Sequence, residues 1–133
     1  TAPKSTGREL FNGVWLEEKL NKLGQGLAID DVQSTLLHFT VDSIVNEISK
    51  VSQPNEVYVC GGGVHNNAFM DQLKARLCDC RVLSTAKLGI DPDWVEAIAF
   101  AWMAKQTSEG RTINTAPFTG AMQATILGGI YKA

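Results

Sequence analysis

The sequence has little net charge and no long apolar run, and each of these absences excludes a class of protein. The formal net charge is −2, which gives no electrostatic basis for binding nucleic acid or an anionic membrane. No apolar stretch approaches the roughly 20 residues of a transmembrane helix. The sequence therefore predicts neither nucleic acid nor a membrane as a partner.

Cysteine is also scarce. The chain has three, Cys60, Cys78 and Cys80. Cys78 and Cys80 stand too close together for an easy disulfide, and they lack the second pair that a zinc site would need. Free thiols in a reducing cytosol explain this usage, so we expect a cytoplasmic protein.

The remaining composition is that of a globular protein. Of the 133 residues, 44% are hydrophobic and 20% are charged, which argues against disorder and suffices for one domain with a sizeable core. The first residue is Thr1 rather than Met. We therefore expect a processed protein or a piece of a longer one.

The first half of the chain has the periodicity of two helices. Apolar residues recur at helical spacing from Leu10 to Leu20, and Gly24 and Gly26 should end that helix. A second helix is predicted near 31–50, followed by a turn.

The second half alternates strands with helices. Val57–Cys60 is a short apolar run rich in β-branched residues, which predicts a strand buried on both faces. Asn66 or Asn67 can cap the helix that follows, and Arg81–Ser84 predicts a second strand. This order implies parallel pairing and an α/β fold. Because two strands do not make a normal sheet, either the chain ends supply another or the rest lies in a missing part.

A last helix should open at Asp91–Asp93. Its segment 97–104 contains no polar residue, which predicts that the helix is buried. Trp94 and Trp102 fall on one face of it, where core packing is the simplest explanation. The stretch 119–131 has no clear assignment.

Gly61–Gly63 join the first strand to a helix, and this turn is the most informative local feature. A ligand can approach a backbone that carries no side chains, and open α/β sheets bind ligands at the carboxyl ends of parallel strands. The pattern is neither the dinucleotide fingerprint nor a P-loop. From the residues alone, a ligand site and a bare tight turn both remain open.

Four segments together resemble a known family. The strand and triple glycine from Val57 resemble the adenosine-binding turn of the sugar-kinase, heat-shock-protein-70 and actin superfamily. The segments PKSTGRELFN (Pro3–Asn12), DWVEAIAFAWMA (Asp93–Ala104) and TGAMQATILGGIY (Thr119–Tyr131) are similar to the anhydro-N-acetylmuramic acid kinases.

The resemblance implies an α/β fold, the carboxy-terminal lobe of an actin-like (ribonuclease H-like) ATPase. On this view 1–133 is a single nucleotide-binding lobe whose amino-terminal lobe is missing. The family uses ATP and Mg²⁺ to phosphorylate 1,6-anhydro-N-acetylmuramic acid while water opens the ring, which recycles cell-wall sugar. Its phosphate loop and catalytic aspartate precede this segment, so no catalytic residue is assigned here and the isolated chain should be inactive. A homodimer remains open.

The resemblance also implies site residues. Gly61, Gly62 and Gly63 would contact the nucleotide, and Asn66 would either contact it or only cap the helix. Glu96 is a candidate for hydrogen bonding to the sugar; its alternative is a capping box with Asp93 as the cap.

Other polar residues have weaker support. Lys4, Thr6 and Arg8 could reach an anionic group, although a solvated basic segment is the commoner explanation. His38 and His65 have no partner recognisable in the sequence, and a structural position is favoured for both.

Two other functions are compatible with the same turn. One is another sugar kinase of the superfamily, such as an N-acetylhexosamine kinase. The other is a non-catalytic nucleotide-binding or assembly domain.

Overall fold

The computed structural model describes residues 7–24, 26–51 and 53–131. Within these ranges the chain is α/β, with five α-helices and a two-stranded parallel sheet. The elements are α1 (Gly13–Leu23), α2 (Ile29–Val51), β1 (Glu56–Val59), α3 (Asn67–Arg76), β2 (Arg81–Ser84), α4 (Val95–Ser108) and α5 (Ala116–Thr119). Three short 3₁₀ turns lie at Gly62–His65, Thr85–Leu88 and Pro92–Trp94.

The chain divides into two compact units. One is Leu27–Ile98, and the other consists of the described residues of 1–26 and 99–133. The helix α4 begins in the first unit and ends in the second. None of the described helices is long and apolar enough to cross a membrane.

The Leu27–Ile98 unit is built on the parallel pair that the sequence predicts. In the register of β1 with β2, Val57 lies opposite Val82, and α3 forms the crossover between the strands. The core contains Val41 of α2, Val82 of β2, and Met70 and Leu73 of α3. These side chains come from two helices and a strand, so their burial holds both helices onto the sheet.

The strand β1 is less buried than predicted. All four of its residues are half-buried, whereas a strand covered on both faces should be fully buried. Within the described chain β1 pairs with β2 alone, and its other edge has no strand beside it. The short apolar run correctly predicts a strand, but its burial depends on neighbours that the run cannot specify.

An exposed ion-pair cluster joins α2 to α3. The guanidinium of Arg76 donates to the carboxylate of Asp42, and its other terminal nitrogen lies 3.4 Å from Nδ1 of His38. His38 is half-buried, so its structural position agrees with the sequence-based preference. Such partly exposed pairs each contribute about 0–1 kcal/mol, so burial of the core side chains dominates the packing of these helices.

In the other unit, α1 begins and ends at residues with clear local roles. The side chain of Asn12 accepts a hydrogen bond from the Trp15 backbone N–H at 3.0 Å and caps the helix. Gly24 ends it with a φ of +99°, as predicted. Leu10 and Phe11 precede the helix rather than starting it.

The stretch 119–131 contains no further helix or strand after α5, which ends at Thr119. An isolated antiparallel bridge joins Ile113 to Thr125 by two backbone hydrogen bonds of 2.9 and 3.2 Å. The Thr107 hydroxyl donates to the carbonyl oxygen of Leu127. These bonds fix the segment against its own unit without regular structure, which is why periodicity does not assign it.

The predicted burial of 97–104 is wrong. Phe100 is 61% exposed and Trp102 is 53% exposed. Trp94, at 64%, is not a core residue either. A helix that is apolar on all sides is buried only when other elements surround it, and the described residues leave much of this helix uncovered.

Candidate functional site

The glycine corner, residues 61–66, follows β1 after one residue, Cys60. Gly61 has a φ of +74° and a ψ of −174°, a region that is essentially restricted to glycine. The Gly61 N–H donates to the carbonyl oxygen of Pro92 at 2.8 Å. The chain then makes the 3₁₀ turn Gly62–His65, in which the Val64 N–H donates to the Gly61 carbonyl at 3.1 Å. The corner thus lies at the carboxyl end of a parallel strand.

The three glycines of the corner differ in what the fold requires of them. Gly61 needs its unusual backbone conformation. A Cβ atom added to Gly62 would meet no atom within 4 Å, and one added to Gly63 would lie 3.5 Å from Cε1 of Phe69, an ordinary contact. Neither of these two has a positive φ. The fold of the described chain therefore does not require glycine at Gly62 or Gly63, and both are exposed.

Asn66 is the cap of α3, as predicted. Its Oδ1 accepts a hydrogen bond from the Phe69 N–H at 3.1 Å, and its own N–H donates to the Gly63 carbonyl at 3.1 Å. The side-chain amide nitrogen makes no hydrogen bond to any residue that the structure describes. The cap uses the oxygen alone, so a contact between the amide group and a nucleotide stays a prediction.

His65 and Asp93 form a contact that the sequence does not reveal. Nε2 of His65 lies 2.9 Å from both carboxylate oxygens of Asp93. Because a carboxylate can only accept, Nε2 carries the hydrogen. The two residues are 28 positions apart, so no local spacing links them.

Glu96 lies in the first turn of α4, just after this contact. The cap of the preceding 3₁₀ turn is Asp91, whose Oδ1 accepts from the Asp93 N–H at 3.0 Å. The predicted capping box with Asp93 as the cap is therefore wrong, because Asp91 begins the turn earlier and Asp93 pairs with His65. Glu96 is exposed, and its carboxylate has no hydrogen bond within the described ranges. It is free to accept hydrogen bonds from a ligand.

The remaining candidates, Lys4, Thr6 and Arg8, do not belong to the described part of the Leu27–Ile98 unit. Lys4 and Thr6 fall outside the described residues. Arg8 is exposed and belongs to the unit that does not contain the corner. The predicted role of these three residues at an anionic group stays a prediction.

No metal centre is present in the part of the chain that the structure covers. No three His, Cys, Asp or Glu side chains there are grouped so that they could hold a metal ion. The three cysteines are free, as the sequence predicts.

Comparison with known proteins gives a consistent result. The family model described as anhydro-N-acetylmuramic acid kinase matches residues 1–133. Relatives that carry that name include three Shewanella proteins. The protein of Shewanella pealeana is 48% identical over 132 residues, that of Shewanella loihica is 48% identical over 131, and that of Shewanella amazonensis is 49% identical over 131.

The match covers nearly all of this chain and a smaller part of its relatives. It includes 99% of this chain and 36% of the Shewanella pealeana protein, and 98% of this chain and 35% of each of the other two. The chain thus spans about a third of the length of these relatives. The resemblance identified from the four sequence segments is confirmed: the chain belongs to the anhydro-N-acetylmuramic acid kinase family.

Proposed function

We propose that this chain is the carboxy-terminal, nucleotide-binding lobe of an ATP-dependent kinase. The complete enzyme would open 1,6-anhydro-N-acetylmuramic acid and phosphorylate it to N-acetylmuramic acid 6-phosphate, in the cytoplasmic recycling of cell-wall sugar. One observation carries the proposal for this chain: the backbone at Gly62 and Gly63 is open to a ligand, at the carboxyl end of a parallel strand, in a member of a kinase family.

The corner has the chemistry that a nucleotide needs. Two exposed glycines allow close approach to the main chain. The amino terminus of α3 adds unpaired N–H groups and the positive end of the helix dipole. The free amide nitrogen of Asn66 provides a further donor. We assign Gly61, Gly62, Gly63 and Asn66 to the nucleotide side, within an actin-like fold.

Glu96 is assigned to the sugar. Its carboxylate can accept hydrogen bonds from sugar hydroxyls or from an amide N–H. The exposure of Glu96 and the absence of a capping role among the described residues support this assignment.

The second lobe of the enzyme would supply the catalytic base and the phosphate-binding loop. Phosphoryl transfer depends on positioning and on stabilisation of charge around the phosphates, and no described residue is assigned as the base or to the phosphate-binding loop. No ligand for Mg²⁺ is assigned in this chain, since no suitable cluster is described.

The exposed apolar surface of α4 supports the existence of a covering partner, because large apolar patches mark interaction surfaces. We take that partner to be the amino-terminal lobe; pairing with a second copy is a further proposal.

A comparison of substrates tests the function. The full-length protein that carries this sequence is incubated with ATP and Mg²⁺ and with either 1,6-anhydro-N-acetylmuramic acid or N-acetylglucosamine. We expect the mass of the product to show addition of one phosphoryl group from ATP and one water to the anhydro-sugar, with ADP as the other product, and no product from N-acetylglucosamine. The opposite preference would indicate a hexosamine kinase. Binding of ADP without transfer to either sugar would indicate a non-catalytic domain.

A further inference from the structure

The glycine corner is attached at both of its ends to the turn that precedes α4. At the first end, the Gly61 N–H donates to the Pro92 carbonyl at 2.8 Å. At the second, the imidazole of His65 contacts both oxygens of Asp93 at 2.9 Å. The exposed Gly62 and Gly63 lie between these two attachments.

The turn that receives both attachments is itself firmly placed. Pro92 is buried, and its ring restricts the backbone. Asp91 holds the turn closed through the Asp93 N–H and the Trp94 N–H, at 3.0 and 3.1 Å. Glu96 follows on the same stretch of chain, in the first turn of α4. A displacement of the corner relative to this turn is therefore a displacement relative to Glu96.

We propose that His65 and Asp93 are a positioning pair, which fixes the glycine corner to the start of α4 and so couples binding of the nucleotide to binding of the sugar at Glu96. The proposal rests on the proposed function, which places the two ligands at these two points. Neither side chain needs to touch a reacting atom. The bond from Nε2–H to both carboxylate oxygens holds the imidazole in one orientation, so the end of the 3₁₀ turn cannot pivot about the Gly61 attachment.

Because the His65–Asp93 pair is exposed, an effect on ligand positioning can be distinguished from an effect on the free energy of unfolding. The side chains of His65 and Asp93 are 62% and 55% exposed, and ion pairs with this exposure contribute little to the free energy of unfolding. Loss of the pair should therefore change ligand binding more than it changes the melting temperature.

A double-mutant cycle in the full-length protein tests the pair. The variants are His65→Ala, Asp93→Ala and the double variant, with His65→Gln as the conservative replacement that keeps an N–H donor. Asp71→Ala is the matched control, because it removes the exposed Lys74–Asp71 pair on α3, outside the corner. KM for ATP, KM for the anhydro-sugar, kcat and the melting temperature are measured for each.

We expect each single alanine variant to raise both KM values about 3- to 5-fold, a change typical of one exposed ion pair. The double variant should be no worse than either single variant, since both remove the same contact. His65→Gln should recover part of the loss, and Asp71→Ala should change neither KM. Multiplying effects in the double variant, or a rise in KM for one substrate alone, would overturn the proposal.

A second measurement does not depend on the enzymatic activity. The Gly61 amide should exchange its hydrogen with solvent about 3- to 5-fold faster in His65→Ala and in Asp93→Ala, because among the described hydrogen bonds its bond to Pro92 is then the one that still joins the corner to this turn. Unchanged exchange refutes the positioning role, whatever the activity. Lack of sugar phosphorylation by the wild-type protein with faster Gly61 exchange in the variants would instead refute the proposed function and retain the pair.

Discussion

Substitution of Gly62 by alanine should change stability and nucleotide affinity in opposite directions. The backbone at Gly62 has no positive φ, and an added Cβ would meet no atom within 4 Å. At such a position alanine reduces the entropy of the unfolded chain and stabilises a protein by about 0.4–1 kcal/mol. A bound nucleotide pressed against the same backbone would meet the new methyl group. Overpacking of this kind costs about 1–3 kcal/mol, or a roughly 5- to 150-fold weaker affinity.

The assay combines two measurements on the full-length protein. Denaturant unfolding gives the change in stability, and calorimetric titration with ADP gives the change in affinity. Gly62→Val should weaken ADP binding at least as much as alanine does. Gly61→Ala is the control, because its backbone conformation is glycine-specific and the substitution should cost about 1–3 kcal/mol of stability. If Gly62→Ala leaves ADP affinity unchanged, the nucleotide does not lie on this corner.

Three further outcomes follow from the site. Glu96→Gln should raise KM for the anhydro-sugar by roughly 10-fold, because a neutral amide replaces the charged carboxylate acceptor, with KM for ATP unchanged in steady-state kinetics. Equal effects on both substrates would contradict the sugar assignment. Asn66→Asp keeps the capping oxygen, so it should preserve the melting temperature while weakening ADP binding. Asn66→Ala should weaken ADP binding and also lose about 1 kcal/mol of stability. Normal ADP affinity in Asn66→Asp would mean that Asn66 only caps the helix. The separate 133-residue chain should show no phosphorylation of the anhydro-sugar in a coupled ATP assay, because the base and phosphate loop are assigned to the other lobe; measurable turnover would contradict that division.

The sequence correctly predicted the structural features that residues close together in the chain determine. Gly24 ends α1 because of its backbone conformation, and Asn66 caps α3 because its side chain reaches an N–H three residues ahead. The β-branched run predicted β1 to within one residue at each end. In each case the residues that determine the structure are neighbours in the chain, so the pattern contains the information.

Features that depend on distant partners could not be predicted in the same way. The exposure of Phe100 and Trp102 depends on which elements surround α4, and the composition of the helix does not specify them. The pairing of His65 with Asp93 requires the crossover between β1 and β2 to bring two loops together. Family resemblance, rather than spacing, indicated Glu96, and the role of Glu96 at the sugar stays a prediction.

The glycine corner is linked to Pro92 and Asp93 by two hydrogen bonds, and mutation can remove one of these links more easily than the other. The link from Gly61 to Pro92 joins main-chain atoms at both ends, so among substitutions at these two positions proline at position 61, which lacks an N–H, is the one that deletes a partner atom. The link from His65 to Asp93 is made by side chains alone, and one codon change abolishes it. Substitution of His65 or Asp93 can therefore change how tightly the corner is held during evolution. The Gly61–Pro92 hydrogen bond would meanwhile keep the backbone of the corner in the same conformation.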